Sequence, residues 1–333
     1  MTAAEILKIT RPEWLFTGTP DENKQKHRDL AKEWHPDVNK SKDAEHVFQH
    51  ISVLWEQAEK KIADGCWGFA GKARFRKKRD LTCGIDINYH RKHTFELGEY
   101  YIGDTAVVYE LDKNHEDLFY NATTAIEHLK YPSKKVEEEC SRYLPSLITA
   151  FETSEGKLMA AIRKTPDMFL LKDVFKHYGT LHPTQAAWIM STLFNLGCYL
   201  WVSDITHNDI SLDTYFISPE KHSGALLGGW WYSSPRGMTL TQLPKRTFNY
   251  LPWKVKSTKK ASRLTDQELI RLVGRELLVG GSGVPEPMKE WLNAIASEDA
   301  VTAYSHWTKE VLIQSFGKRR FVKMDLDANQ LYK

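Results

Sequence analysis

The stretch Glu33-Trp34-His35-Pro36-Asp37-Val38-Asn39 decides the fold of the N-terminal region. It lies between two segments whose apolar residues recur at helical spacing. Proline and aspartate both favour turns, so the sequence predicts two helices separated by a short polar turn. The tripeptide His35-Pro36-Asp37 would lie in that turn.

The segment before the turn has a strong helix start at Thr19-Pro20-Asp21-Glu22. Thr19 and Glu22 can form a capping box, and proline fits the first helical position. The predicted helix carries a basic stripe and, around the side, an apolar stripe. The basic stripe consists of Lys24, Arg28 and Lys32, and the apolar stripe of Leu30, Ala31 and Trp34.

The segment after the turn predicts a second amphipathic helix, with Asp43 as its N-cap residue. Its apolar positions are Ala44, Val47, Phe48, Ile51, Leu54, Trp55 and Ala58. Two helices with apolar stripes and a short connection should pack as an antiparallel hairpin. A short first helix at 3–9 and the segment Trp14-Leu15-Phe16 are predicted to pack on it.

This arrangement over residues 1–64 resembles a J-domain, the module by which co-chaperones stimulate the ATPase of a DnaK-type chaperone. Residues 33–39 stand where the family has Lys-Tyr-His-Pro-Asp-Lys-Asn, and Val47-Phe48-Gln49-His50-Ile51 stands where it has Lys-Phe-Lys-Glu-Ile. The resemblance implies that His35-Pro36-Asp37 engages the chaperone and that the basic stripe docks on its acidic surface. An ordinary helical hairpin is the alternative, but it leaves the basic stripe beside the turn unexplained.

Composition indicates a globular protein of two or three domains. The chain has 333 residues, of which 41% are hydrophobic and 27% charged. No apolar run is long enough to span a bilayer, and Glu5 and Lys8 interrupt any signal-peptide pattern. The four scattered cysteines form no Cys-x-x-Cys pair, so neither a zinc site nor a disulfide framework is expected. We expect no metal, no membrane contact and a cytoplasmic setting.

Residues 65–94 are predicted to be a basic and aromatic linker. The run from Lys72 to Arg79 is its densest basic stretch. Such runs are most often solvated faces, and binding to nucleic acid or an acidic partner remains an alternative. The net charge of +3 is too small to favour a nucleic-acid partner by itself.

The remaining chain predicts an α+β body in two lobes, at 95–170 and 171–333. The first lobe should be mostly strands and the second mostly helices. Predicted strands are 94–111, 118–122, 147–151, 157–163, 215–218 and 225–227; predicted helices are 134–144, 184–202, 265–279 and 287–296. Residues 254–260 are predicted to be an exposed loop, and Trp230-Trp231-Tyr232 to be packing residues.

The centre of this body contains His207-Asn208-Asp209-Ile210, with Thr214 downstream. This stretch resembles the catalytic loop of protein kinases, which is His-Arg-Asp-Leu followed by Asn. Three further segments match weakly and in the right order. They are a degenerate glycine-rich hairpin with Gly98 and Gly103, Asn249-Tyr250-Leu251-Pro252 near the family's Ala-Pro-Glu, and Thr265-Asp266 with Gly274 in the helix that braces the lower lobe.

The groups that phosphoryl transfer needs are mostly missing. The reaction requires a lysine on the phosphates, two metal-holding side chains and an acid that orients the hydroxyl. Asp209 can be that acid, but Thr214 replaces the metal-binding Asn. Gly229, or in the alternative alignment Gly228, replaces the metal-binding Asp. No lysine lies near 119–121, where the third strand is expected.

Lys113 and Lys130 are badly placed to substitute for that lysine, although Glu138 or Glu139 could be its former helix partner. Loss of such electrostatic groups lowers a rate by orders of magnitude. We therefore expect a catalytically inactive body, without a cofactor, in which His207 and Asp209 brace the loop.

The sequence thus predicts a J-domain co-chaperone, of bacterial or bacteriophage type, whose pseudokinase-like body binds a client protein or assembly. The main alternative is an ATP- and magnesium-dependent kinase or small-molecule phosphotransferase fused to a J-domain. A third alternative is a nucleic-acid adaptor that uses residues 72–79.

Overall fold

The computed structural model describes residues 1–318 and 322–332. The chain divides into two compact units, which are described separately below. The first comprises Met1–Arg74 with Ile85–His90, and the second comprises Phe75–Gly84 with Arg91–Lys333. Both helices and strands are present, as the α+β prediction requires.

The first unit contains four helices. They are α1 (Ala3–Leu7), α2 (Pro12–Leu15), α3 (Pro20–Glu33) and α4 (Ala44–Ala63). The predicted capping box between Thr19 and Glu22 starts α3. Asp43 occupies the N-cap position of α4, but its side chain makes no capping hydrogen bond. That part of the prediction is wrong.

The predicted apolar stripes form the core of this unit. Val47, Ile51 and Leu54 of α4 pack with Leu30 and Trp34 at the end of α3. The N-terminal residues Ile6, Ile9, Leu15 and Phe16 complete this core. Trp14 was predicted to be buried with its neighbours, but 38% of it is exposed. Leu15 and Phe16 already fill the space beside α4.

Strands β1 (Gly71–Lys77) and β2 (Asp80–Tyr89) pair with each other inside the segment that was predicted to be a linker. The basic run 72–79 therefore lies on β1 and its turn. Several of its side chains have carboxylate partners: Arg74 lies 3.3 Å from Asp64, and Lys78 lies 2.7 Å from Glu152. These pairs reduce the charge that the run offers to a partner.

The second unit begins with a five-stranded antiparallel sheet in the order β3-β4-β5-β7-β6. Its strands are β3 (Arg91–Phe95), β4 (Gly98–Ile102), β5 (Ala106–Leu111), β6 (Leu147–Glu152) and β7 (Leu158–Arg163). Helices α5 (Glu116–Glu127) and α6 (Lys134–Cys140) connect β5 to β6.

The strand predicted at 118–122 is wrong, because these residues belong to α5. Leu118, Ala122 and Ile126 recur every four residues and are buried, which is a helical pattern. A window of five residues was too short to distinguish this periodicity from strand alternation.

The rest of the second unit is mainly helical. Its helices are α7 (Leu171–Tyr178), α8 (Pro183–Val202), α9 (Lys245–Tyr250), α10 (Trp253–Thr258), α11 (Arg263–Leu277), α12 (Glu286–Asn293), α13 (Ala300–His306), α14 (Leu312–Phe316) and α15 (Ala328–Leu331). Short strands β8 (Phe169–Leu170), β10 (Tyr215–Ser218) and β11 (Ser223–Leu226) form one small sheet, and β9 (Ile205–Thr206) pairs with β12 (Ser234–Pro235).

Three predicted features of this region have different outcomes. The helix predicted at 184–202 is confirmed as α8, whereas the exposed loop predicted at 254–260 is partly the short helix α10. The basic segment Lys318-Arg319-Arg320 is predicted to be a solvated tail, but Arg319 and Arg320 lie outside the described residues. Within the described ranges, no helix is long and apolar enough to cross a membrane. All four cysteines are free thiols.

Candidate functional sites

The turn between α3 and α4 presents the tripeptide His35-Pro36-Asp37 at one end of the helical hairpin. The backbone N–H groups of Val38 and Asn39 donate to the His35 carbonyl at 2.9 and 2.8 Å, which closes the turn. The Asn39 side chain also donates to the Glu33 carbonyl at 3.2 Å, which ties the turn to the end of α3. The tripeptide is thus held in one shape by bonds from its flanks.

The side chains of this turn point to solvent. The Asp37 side chain is 87% exposed, and its carboxylate lies 3.6 Å from Nδ1 of His35. Nδ1 of His35 accepts the Asp37 backbone N–H at 3.2 Å, so the neutral ring carries its proton on Nε2. One edge of the ring packs on Phe48 of α4 with 5.3 Å between centroids. The contact with Phe48 thus orients the imidazole, while part of the ring remains accessible to solvent.

The basic stripe of Lys24, Arg28 and Lys32 lies on the exposed surface of α3. None of these three side chains forms an ion pair within the residues that the structure describes. Three unpaired positive charges at four-residue steps give this side of the helix a positive potential.

The second candidate site is the loop from His207 to Thr214, between α8 and β10. Asp266 of α11 lies beneath it, and its two carboxylate oxygens accept the backbone N–H groups of His207 and Asn208, both at 2.8 Å. Burial raises the pKa of Asp266 to about 7, although these two hydrogen bonds oppose the rise. Helix α11 therefore holds the loop through one buried carboxyl group.

His207 is fully buried within this loop. Its Nε2 donates to the Gly228 carbonyl at 3.0 Å, and its Nδ1 accepts the Asp209 backbone N–H at 3.2 Å. Burial lowers the pKa of His207 to about 3, so the ring is neutral at physiological pH. Asn208 has a positive φ of 65° and donates from its side chain to the Tyr232 carbonyl at 2.9 Å.

The two side chains that could act on a phosphate or metal are poorly suited to do so. Burial raises the pKa of Asp209 well above its usual range, although Arg246 nearby opposes the rise. The Thr214 hydroxyl donates to the Asp209 carbonyl at 2.7 Å and accepts the Ser211 backbone N–H at 3.0 Å. Thr214 thus serves the loop itself.

Neither glycine at the expected metal-Asp position has room for a side chain. A Cβ atom on Gly229 would lie 2.6 Å from the His207 ring and 2.9 Å from both Asp209 and Thr214. A Cβ on Gly228 would lie 2.5 Å from the Tyr109 hydroxyl oxygen. Gly229 also has φ of 81°, which disfavours other residues.

The third strand of the sheet is β5, so the expectation of a third strand near 119–121 is wrong. Tyr109 occupies the inner part of β5 and is buried. Residues 119–121 lie in α5, where Asn121 donates to the carbonyls of Trp231 and Ser233 at 3.0 and 2.9 Å. Glu138 and Glu139 lie exposed on α6, whereas the helix that directly follows β5 is α5.

Aromatic side chains fill the space between the β3–β4 hairpin and the loop. Tyr109 packs on Tyr100 and Trp231 with 5.4 Å between centroids in each case. We call the following residues the aromatic cluster: Phe95, Tyr100, Tyr109, Phe119 and Trp231. The prediction that Trp230-Trp231-Tyr232 packs inside the protein is confirmed, since all three residues are buried.

The predicted glycine-rich hairpin also packs tightly on its neighbours. Glu96, in the turn between β3 and β4, accepts a hydrogen bond from the Tyr232 hydroxyl. A Cβ on Gly98 would collide with the Glu110 carbonyl, so this glycine permits the close approach of β4 to β5. Gly103 closes the next turn by donating to the Ala106 carbonyl at 2.9 Å.

The space beside the expected metal-Asp position is small. The cavity beside Tyr109, Gly228 and Trp231 measures about 10 Å³, which is room for about one water. Small-molecule pockets are usually about 300–1,000 Å³. Within the described residues, no three His, Cys, Asp or Glu side chains converge as metal ligands.

Sequence reasoning located the loop but missed Tyr109, Asn121 and the aromatic cluster. The run Ala106–Leu111 could have indicated the third strand, because it follows two strands and is apolar except at Glu110. Assigning it as the third strand would have placed Tyr109 where a lysine was sought.

Comparison with known proteins shows a similarity over a short part of the chain. The chain is 43% identical over 57 residues to the chaperone protein DnaJ of Enterococcus faecalis. This match covers 16% of the present chain and 15% of the relative. No protein-family model matches the chain. The similarity supports the presence of a J-domain.

Proposed function

We propose that the protein is a J-domain co-chaperone whose residues 1–64 stimulate the ATPase of a DnaK-type chaperone in the cytoplasm. The observation that carries this proposal is the His35-Pro36-Asp37 turn, which is fixed by its flanks and exposed at its side chains. The similarity to DnaJ supports it independently.

The basic stripe is the second element of the proposed docking surface. Lys24, Arg28 and Lys32 are unpaired within the described residues, so their charge is available to an acidic partner. Charge complementarity raises association rates and makes them sensitive to salt. We expect the stripe to orient the hairpin so that the tripeptide meets the chaperone.

We further propose that the second unit is a kinase-like body without phosphotransfer activity, which binds a client protein or assembly. Three observations support a kinase-like fold: a five-stranded sheet, a helix after its third strand, and a His-x-Asp loop held by Asp266. The aromatic cluster and the crowded glycines argue against a working nucleotide site.

The competing proposal, an active phosphotransferase, has only the retained His207 and Asp209 in its favour. Titration calorimetry of the full chain with ATP and magnesium discriminates between the two. We expect no binding heat at millimolar nucleotide. Magnesium-dependent binding would instead favour the phosphotransferase.

The J-domain proposal is tested by His35→Gln in the full chain. We expect the variant to lose stimulation of a bacterial DnaK-type ATPase in single-turnover assays and to keep the wild-type melting temperature. His46→Gln is the matched control, since His46 is exposed on α4 and no described hydrogen bond or ring contact joins it to the tripeptide. Equal stimulation by the His35 variant and the control would refute the proposal.

A further inference from the structure

The surface of residues 245–260, which we call the basic-aromatic segment, has no role in the function proposed above. It contains α9 and α10, and three of its aromatic side chains point to solvent. Trp253 is 80% exposed, Phe248 59% and Tyr250 46%. One exposed aromatic residue needs no explanation, but three within six residues form an unusual surface.

Buried side chains on the inner side of the segment attach it to the rest of the second unit. The Thr247 hydroxyl donates to the Asn208 carbonyl at 2.7 Å, and Leu251 and Val255 are buried. Two backbone hydrogen bonds of 2.8 Å join the C-terminal side of the segment to the chain before it. They run from the Leu240 N–H to the Lys259 carbonyl and, just after the segment, from the Ala261 N–H to the Met238 carbonyl. The outward side chains therefore stand on a fixed support.

The charge of this surface has one sign. No aspartate or glutamate occurs between Ser233 and Thr265. The arginines in this stretch are paired, for example Arg246 with Glu276 at 2.8 Å. The lysines have no ion pair within the described residues; they are Lys245, Lys254, Lys256, Lys259 and Lys260.

We propose that the basic-aromatic segment binds single-stranded nucleic acid. Lysine ammonium groups neutralise phosphates, and exposed aromatic rings provide faces on which unpaired bases stack. Trp253 and Lys254 are adjacent on α10, and Phe248 and Tyr250 lie on the preceding helix, α9. Both kinds of group therefore occur on the same segment. Bases in a duplex are already stacked and would not use these rings.

The same surface fits a protein or a lipid partner less well. Lysine is depleted at protein–protein interfaces, whereas it is the main charged residue here. A membrane-surface helix needs a long apolar face, but α9 and α10 have six residues each. Val255 of α10 and Leu251, which lies between the two helices, are buried and cannot contribute to such a face.

The test is fluorescence anisotropy of the full chain with a labelled single-stranded 20-mer and the matching duplex, from 50 to 300 mM salt. We expect binding that prefers the single strand and weakens with salt. Trp253→Ala should weaken it by about 5- to 150-fold, because one stacked base contributes that range. Trp253→Phe should restore most of the affinity.

A second variant tests the charges. Replacing Lys254, Lys256, Lys259 and Lys260 by Gln should reduce the slope of log affinity against log salt by about 2.8, at about 0.7 per phosphate contact. Two controls should bind like the wild type: Tyr120→Ala, which removes another exposed ring, and Lys134→Gln with Lys135→Gln on α6.

Absence of binding at 50 mM salt would overturn the proposal. Equal affinity for the duplex, or binding that neither the Trp253 nor the lysine variant weakens, would overturn it as well. So would binding to phosphatidylserine vesicles without binding to the oligonucleotide. The result is independent of the DnaK-type ATPase assay, because His35→Gln leaves this surface unchanged.

Discussion

Two His-x-Asp tripeptides in this chain share their local geometry and differ in their surroundings. In His35-Pro36-Asp37 and in His207-Asn208-Asp209, the backbone N–H of the aspartate donates to Nδ1 of the histidine at 3.2 Å. The first tripeptide projects from a helical hairpin, and its carboxylate is exposed. In the second, the imidazole is buried beneath Gly228 and Gly229.

The difference suggests that burial, and not the tripeptide itself, determines the role that we propose for each motif. An exposed imidazole and carboxylate keep their hydrogen-bonding groups for a partner. In the buried tripeptide, both ring nitrogens of the histidine form hydrogen bonds within the fold, and burial lowers the pKa of the ring. In the function proposed above, the first tripeptide therefore serves recognition, and the second holds its own loop together.

The largest stability effect is expected at Asp266, which supports only the buried tripeptide. Asp266→Ala leaves the N–H groups of His207 and Asn208 without an acceptor. Each such buried group costs about 1–3 kcal/mol, so the second unit should lose about 2–6 kcal/mol. Urea denaturation followed by tryptophan fluorescence measures the change. Asp117→Ala, at an exposed position of α5, is the control and should shift the free energy of unfolding by less than about 0.5 kcal/mol.

The next effect concerns crowding around the buried tripeptide. Gly229 and Gly156 have similar φ values, 81° and 79°, but only Gly229 is surrounded by side chains. Replacing either by alanine should cost about 1–2 kcal/mol for the backbone. Gly229→Ala should cost about 1–3 kcal/mol more for overpacking. Equal destabilisation of the two variants would show that the space beside His207 is not filled.

A smaller effect is expected from pH. The pKa of His207 falls on folding from 6.5 to about 3, so the unfolded chain binds the proton more readily. The stability from its neutral form is complete above pH 6.5 and decreases as pH falls; the loss reaches about 2 kcal/mol at pH 5. The raised pKa of Asp266 acts in the opposite direction, so the wild-type curve alone is ambiguous.

The His207 contribution is isolated by comparison with His207→Gln, which leaves Asp266 in place. Relative to this variant, the wild type should lose about 2 kcal/mol between pH 8 and pH 5. A constant difference across that range would mean that the pKa of His207 does not change on folding and would contradict this account. His46→Gln should follow the wild type at every pH.

The fold of the first unit was predictable because its signals are local. A capping box, two apolar stripes and a turn tripeptide each lie within one helix or one connection. In the second unit, the loop residues His207, Asp209 and Asp266 were found from their order along the chain.

The closure of the cleft was not predictable in the same way. It depends on Tyr109 of β5 meeting Trp231, which follows it by more than a hundred residues, and on the Glu96 side chain reaching Tyr232. No local periodicity records such contacts. The misassigned strand at 118–122 increased the error, since it moved the expected third strand away from Tyr109.

The central claim is that one tripeptide acts on a partner and the other only on its own fold. The most direct measurement is the single-turnover ATPase rate of a DnaK-type chaperone with Asp37→Asn and with Asp209→Asn, each in the full chain. We predict that Asp37→Asn abolishes stimulation at unchanged melting temperature, and that Asp209→Asn stimulates like the wild type. Full stimulation by Asp37→Asn, or its loss in a folded Asp209→Asn, would contradict this account.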